Sequence, residues 1–328
     1  MTTIGAAFEQ EYETLTRGCG LLDRSERGKL ALSGSGAKDF LQGQVTNDIL
    51  SLTPGRGVYA VFLTQKGKMQ GDLRVLDTGD ELLLDTERVA LQDLFNMIRS
   101  YSLGYEVELH KRTLESGLFS LIGPGCEKVL KRLGVNLPGE EHSHLQFSAA
   151  GGRVRAIRTD VGVDVLFEAE LSDGIGGALQ EAGAVPVAEP AAECVRIERG
   201  RPRFGIDLDN SVIPQEAGLN ERAVSFTKGC YVGQETVARL FYKGKPNREL
   251  RGVLSAEPLS PGAALRFDGR DVATVTSSAI SPRVGPIALA LVRREAPVGS
   301  VVTTPDGASA QVVALPFITP STYTAKNG

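Results

Sequence analysis

Apolar residues recur along this chain with two spacings, and the spacings assign most of its elements. Phe8, Tyr12 and Leu15 fall on one helical face near the start. LALSG at residues 30–34 then reads as a short strand running into a helix, AKDFLQGQVTNDI, at residues 37–49. Residues 57–86 hold three strand-like runs, VYAVFLT, DLRVL and ELLLD, and Thr78-Gly79-Asp80 marks a hairpin, so an antiparallel sheet is expected. Leu91, Leu94, Phe95 and Ile98 form an i, i+3, i+4, i+7 stripe. Cys126, Val129, Leu130 and Leu133 form a second one after Gly123-Pro124-Gly125, which places Cys126 in a core. Residues 151–170 read as a hairpin and residues 175–182 as a helix. Past Pro246, short strand-like runs recur between Gly and Pro turns, Pro305-Asp306-Gly307 among them, as in a small β-barrel or sandwich. The strands and helices do not alternate as βαβ units, and no GxGxxG opens a helix, which argues against a dinucleotide fold.

Length and composition narrow the class. A chain of 328 residues exceeds one small core and predicts two or three packed domains. No apolar run reaches the roughly 20 residues a bilayer requires. Lys plus Arg number 36 against 40 Asp plus Glu, a balance that argues against a dominant nucleic-acid binder but leaves room for a basic patch. The opening MTTIGAAFEQEYE lacks the basic start and apolar stretch of a signal peptide, so a reducing, cytoplasmic setting is expected. Cys19, Cys126, Cys194 and Cys230 lie far apart without a CxxC pair, which argues against a disulfide scaffold. His142 and His144 sit in a Pro/Gly-flanked loop with no acidic partner pattern and are not read as a metal site. Lys66-Gly67-Lys68 lacks the framework of a phosphate loop. Cys19 and Cys194 read as structural.

The most unusual stretch is FTKGCYVGQETVAR at residues 226–239. Gly229 and Gly233 bracket Cys230 and Tyr231 and permit a sharp loop with close backbone approach. Lys228, or amides of a helix beginning near Gln234, would lower the pKa of the Cys230 thiol and favour redox or metal-ligand chemistry. A buried turn cysteine is the bland alternative.

KGCYVGQE, at residues 228–235, resembles the motif of the YgfZ-type folate-binding proteins, relatives of the glycine-cleavage T-protein, an aminomethyltransferase. Residues 19–48, with FLQGQVTND, and residues 195–219 are similar as well. The resemblance implies an α+β, three-lobed cloverleaf: residues 1–53 with 170–246, an inserted lobe at 54–169, and a C-terminal barrel at 247–328. It implies a tetrahydrofolate pocket in the centre and a role in synthesis or repair of iron-sulfur proteins, and thereby in tRNA modification. Cys230 would be the residue that role depends on, with Lys228, Tyr231, Gln234 and Glu235 around it. By the same resemblance Cys230 could hold a transient [2Fe-2S] cluster shared with a partner. Iron-sulfur carrier or client proteins are the implied partners, and tRNA is a further one.

For the folate, Glu198 in RIERG matches the T-protein segment whose carboxylate recognises the pterin, a bidentate acceptor for adjacent N–H donors. An ion pair with Arg196 or Arg199 is the alternative. Asp72, in KMQGDLRV, matches a segment where two consecutive acids sit near the reactive end of folate. Gly71 stands in place of one of them. Arg239, with Lys243, Lys245 and Arg248, could receive the anionic tail or an RNA phosphate, or form a solvated face. Without Trp, stacking falls to Tyr59, Phe62 or Tyr231. Gly229 and Gly233 complete the cofactor-binding set. The second function considered is folate-dependent aminomethyl or one-carbon transfer on a small amine, with Asp72 moving the proton. The third is a structural module that binds a protein or tRNA.

Overall fold

The computed structural model describes residues 5–319. In chain order the elements are α1 (Ala6–Arg17), β1 (Gly20–Asp23), β2 (Gly28–Ser33), α2 (Ala37–Gln44), β3 (Arg56–Leu63), β4 (Met69–Asp77), β5 (Leu82–Thr86), α3 (Leu91–Tyr101), β6 (Glu108–Lys111), β7 (Ser116–Ile122) and α4 (Cys126–Arg132). Then follow β8 (His144–Ala149), β9 (Gly152–Arg158), β10 (Gly162–Glu168), α5 (Ser172–Glu181), β11 (Val185–Pro186), α6 (Glu189–Glu198), α7 (Asn220–Ala223) and α8 (Gln234–Lys243). The last six strands are β12 (Arg248–Ser255), β13 (Ala264–Phe267), β14 (Arg270–Ser281), β15 (Gly285–Arg293), β16 (Val301–Thr303) and β17 (Ser309–Val313).

The strands form two open sheets and a barrel, an α+β architecture. The first sheet has the order β3-β4-β5-β2-β6, the second β11-β1-β7-β10-β9-β8. Strands from both sides of residue 53 share the first sheet, because β2 pairs with β5 and β6. Lobe boundaries at 53/54 and 169/170 therefore do not coincide with sheet boundaries. The six C-terminal strands close as β12-β15-β14-β13-β16-β17, so of the two expected tail architectures the barrel is the one adopted.

Period-2 alternation explains the packing of the first sheet. Leu30, Ala60, Phe62, Leu73, Val75 and Leu84 face one side and bury against Phe40 and Leu41 of α2 and Leu94 and Ile98 of α3. The opposite side carries polar residues and turns toward the second sheet. The helix expected over residues 37–49 ends at Gln44 instead. Val45 is already extended and bridges Phe62, which starts the chain's return to the sheet. Cys126 joins the second core with Leu121, Val163 and Val165, Cys194 lies between α1 and α6, and Cys19 is buried.

Candidate functional site

The polar side of the first sheet is where side chains of different strands meet in register. Tyr59 on β3 stands opposite Arg74 on β4, Arg74 opposite Asp85 on β5, and Asp85 opposite Lys29 on β2. Asp72, two residues before Arg74, shares that face. The second sheet packs across it through Arg74 and Asp164 of β10, at 2.7 Å, while Ser120 of β7 donates to Asp164 at 2.6 Å. Between them lies a cavity of about 270 Å³. Tyr59, Asp72, Arg74, His142, Thr159 and Arg222 are on its wall, and α6 contributes Val195 and Arg196.

Eight arginines line this cavity, at positions 24, 27, 74, 196, 199, 201, 203 and 222. The acids among its lining residues are Asp72, Asp85, Glu87, Glu141, Asp160 and Asp164, and from beside the lining Glu189 pairs with Arg24 and Arg203, and Glu193 and Asp207 with Arg196. Most of these acids are paired: Asp85 with Arg27 at 2.7 Å and Arg74 at 2.6 Å, Glu87 with Arg27 and Arg203, Asp160 with Arg201 at 2.7 Å, and Glu141 with Arg222. Burial alone would raise Asp85, but the guanidiniums of Arg27 and Arg74 hold it below the usual carboxylate range.

Asp72 differs from its neighbours. Among the described residues no arginine pairs with it; its Oδ2 accepts a 2.5 Å hydrogen bond from the Tyr59 hydroxyl. Burial pushes its carboxyl up to about 6, against the opposing effect of that hydrogen bond. Burial and the adjacent carboxylate in turn push the Tyr59 hydroxyl well above its ordinary value. The Arg222 guanidinium lies 5.5 Å from the centre of the Tyr59 ring. A carboxyl that changes protonation near neutrality inside an arginine-lined cavity is suited to exchanging a proton with a bound ligand.

The KGCYVGQE stretch forms a turn elsewhere, at the far end of the β3–β4 hairpin. Gly233 is left-handed, φ 81°, and caps the start of α8. A Cβ there would meet the Thr64 carbonyl at 2.5 Å and the Gly67 Cα at 3.1 Å, so glycine is required on two counts. Gly229 has open space around it and carries no such constraint. Cys230 is exposed. Lys228 is held by backbone carbonyls. Its ammonium donates to the carbonyls of Gln42, Val45 (2.7 Å) and Asn47 (3.1 Å), tying this turn to the end of α2, and burial lowers it to about 8. Tyr231 is buried, with that ammonium 4.9 Å from its ring centre. Gln234 opens α8 half-buried, its N–H donating to the Tyr231 carbonyl at 3.2 Å, and Glu235 beside it is exposed.

Comparison with known proteins agrees with this architecture. The GCVT N-terminal domain model matches residues 2–228. The chain belongs to this family. It is 28% identical over 95% of its length to a putative chloroplastic transferase of Arabidopsis thaliana, covering 75% of that protein. It is 31% identical over 87% of its length to an aminomethyltransferase of a Synechococcus strain, covering 82% of it. The crystal structure of the glycine cleavage system aminomethyltransferase T from Bartonella henselae superposes with a TM-score of 0.85 at 22% identity, over 95% of this chain and 89% of that one, and so shares the fold.

Within this GCVT-family chain, four of the expected folate contacts, Glu198, Arg239, Gly229 and Gly233, lie outside the lining of the cavity. Glu198 ends α6 fully buried. Its Oε1 accepts hydrogen bonds from Tyr12 of α1, at 2.7 Å, and from Ser281 of β14, so the carboxylate joins the first helix to the barrel. Of the two alternative partners, Arg196 binds Glu193 and Asp207. Arg239 is exposed on α8, and Arg248 pairs with Glu216 at 3.2 Å. Phe62 is in the core, which leaves Tyr59 as the one of the three candidate aromatics on the cavity wall. Sequence reasoning missed Arg27, Arg74, Thr159 and Arg222. The signal for Arg74 was present, because it lies two residues from Asp72 in a strand and hence on the same face.

Proposed function

We propose that this protein binds tetrahydrofolate in the arginine-lined cavity and supports synthesis or repair of iron-sulfur proteins through Cys230. The observation that carries the folate half is the Asp72–Tyr59 pair, a near-neutral carboxyl with no ion-pair partner among the described residues, in a cavity lined by paired arginines. The residues fit the group: Asp72 and Tyr59 present acceptor and hydroxyl to ring N–H groups, and the arginines complement the carboxylates of the glutamate tail. Bound tetrahydrofolate would supply ring nitrogens that carry one-carbon units.

Position 71 favours a binding role over a transferase with two adjacent acids. A Cβ on Gly71 would come within 2.5 Å of the Phe62 ring and 2.7 Å of Ala90, on the core side of β4. No acid fits there. The thiol is remote: the turn that holds it contacts Leu63 and Thr64, roughly 13 Å along β3 from Tyr59. Cys230 offers one thiolate, so a cluster passing through it takes its other ligands from a partner. Folate-dependent aminomethyl or one-carbon transfer is the second reading, favoured by the near-neutral Asp72 and by relatives named aminomethyltransferase.

Calorimetric titration of the purified protein with tetrahydrofolate under anaerobic conditions tests the cavity. Binding should weaken by about tenfold or more in Asp72→Ala, while Cys230→Ala binds like the wild type. In cells under mild oxidative stress, Cys230→Ala at normal abundance should lose the activity of iron-sulfur enzymes as fully as a deletion does. Wild-type enzyme activities in that strain would remove the thiol from the function. Turnover of methylene-tetrahydrofolate with an amine would replace the binding role by the transferase.

A further inference from the structure

The surface near Cys230 carries aromatic and cationic side chains that the fold leaves exposed. Phe226, four residues before the thiol, stacks on Phe241 of α8 with ring centres 3.7 Å apart. Tyr242 meets both edge-on, 5.0 Å from Phe241 and 6.4 Å from Phe226. Phe241 is 45% exposed and Tyr242 67%, whereas Val237, the buried residue of α8, is the one that joins the core. Four residues of fully extended chain reach roughly 14 Å, so Cys230 lies within that distance of Phe226. A cluster of rings open to water in this way marks a surface that another molecule covers.

Charge and the thiol say what covers it. Arg239, Lys243 and Lys245 are exposed and have no ion-pair partner among the described residues. On α8, Arg239 shares a face with Tyr242, three residues on, and with Lys243, four residues on. Glu235, in the first turn, is the one acid of that helix. Three cations against one acid, beside exposed rings, complement a face on which apolar side chains are bordered by Asp and Glu. A cluster passing through Cys230 takes its remaining ligands from a partner, and those ligands must come within bonding reach of the sulfur. The body that carries them therefore covers the surface beside the thiol. An RNA strand would match the rings and the cations but brings no thiolate.

We propose that Phe226, Phe241 and Tyr242, with Arg239, Lys243 and Lys245, form the docking surface for a thiolate-bearing protein whose contacting face is apolar and acidic, and that this surface seats the partner over Cys230. The rings anchor the partner, and the cations at the rim steer its approach. The inference rests on the iron-sulfur reading of Cys230 and deepens it, because it assigns the place where the supplier of the other cluster ligands binds.

Full-length variants, each the only copy in the cell and at wild-type abundance, test the surface through the activity of iron-sulfur enzymes under mild oxidative stress. Tyr242→Ser, Phe241→Ser/Tyr242→Ser and Arg239→Glu/Lys243→Glu/Lys245→Glu should each lower that activity by about threefold or more, as expected when an interface anchor or its charge is removed. The purified variants should bind tetrahydrofolate like the wild type. Tyr242→Ser removes an exposed ring and should leave the melting temperature unchanged, so its loss cannot come from unfolding. Tyr101→Ser, which removes a ring 56% exposed on α3, should keep wild-type activities. Wild-type activities in the Tyr242 and charge variants, beside a loss in Cys230→Ala, would overturn the docking surface and keep the thiol. Wild-type activities in Cys230→Ala would remove the iron-sulfur reading and the surface together. Total cellular tRNA in a mobility-shift titration and sedimentation velocity of the protein alone examine the other occupants. Binding of tRNA that the charge variant loses would give the surface to RNA, and a dimer that Tyr242→Ser dissolves would give it to a second copy of this chain; either result overturns the proposal.

Discussion

At the scale of single residues, two buried carboxyl groups show how environment assigns different work to one chemistry. Glu198 is held by hydroxyls of Tyr12 and Ser281 where helix and barrel meet. Asp72 has one hydroxyl partner and a cavity in front of it. Its folded pKa of about 6 lies above the unfolded value of 3.8, so the folded state holds the proton more tightly. The cost of burying its charge is absent below pH 3.8, grows as pH rises between the two values, and is fully present above about 6. Asp72→Asn should therefore stabilise the protein by about 2–3 kcal/mol at pH 8 and leave it unchanged near pH 3.8, as read by urea denaturation at the two pH values. Equal effects at both would mean that Asp72 is solvated. His142 has the opposite sign: its depressed pKa makes the folded state lose stability as pH falls from 6.5 toward 3.

At the scale of elements, the turn before α8 shows how a motif with chemical promise is also a structural joint. Val232 donates to the Gly43 carbonyl at 3.1 Å, Lys228 ties the carbonyls after α2, and Gly233 packs backbone to backbone on the β3–β4 turn. Gly233→Ala meets both a left-handed φ and the Thr64 carbonyl. A loss of about 2–3 kcal/mol in chemical denaturation is expected, against under about 1 kcal/mol for Gly229→Ala, where space is open. Equal costs would mean that the turn does not dock on the hairpin. The glycines and the thiol were legible in the sequence. The partners of Lys228 were not, because they are carbonyls 181 to 186 positions away, and a carbonyl leaves no mark on residue type.

At the scale of the whole molecule, Arg74 links two sheets by meeting Asp85 on its own sheet and Asp164 across the cavity. Arg74→Met keeps the apolar volume but leaves the Asp164 carboxylate, largely shielded from water, facing a thioether, and should cost about 3–5 kcal/mol at pH 7 in equilibrium unfolding. Recovery of most of that loss in the Arg74→Met/Asp164→Asn double variant would locate the cost in the unpaired charge; no recovery would locate it in packing. The sequence by itself determined β2, the β3–β5 and β9–β10 strands, most of the helices, the closed or layered character of the tail and the face shared by Asp72 and Arg74. Each of these depends on periodicity within one continuous segment. Only the tertiary structure decided that the polar face of the first sheet is buried, that Asp72 has no arginine partner among the described residues, that Glu198 is buried between the first helix and the barrel and that His142 lines the cavity. Those outcomes depend on which distant segment covers a given face, and burial and charge pairing are set by that covering surface, not by the residue or its neighbours in the chain.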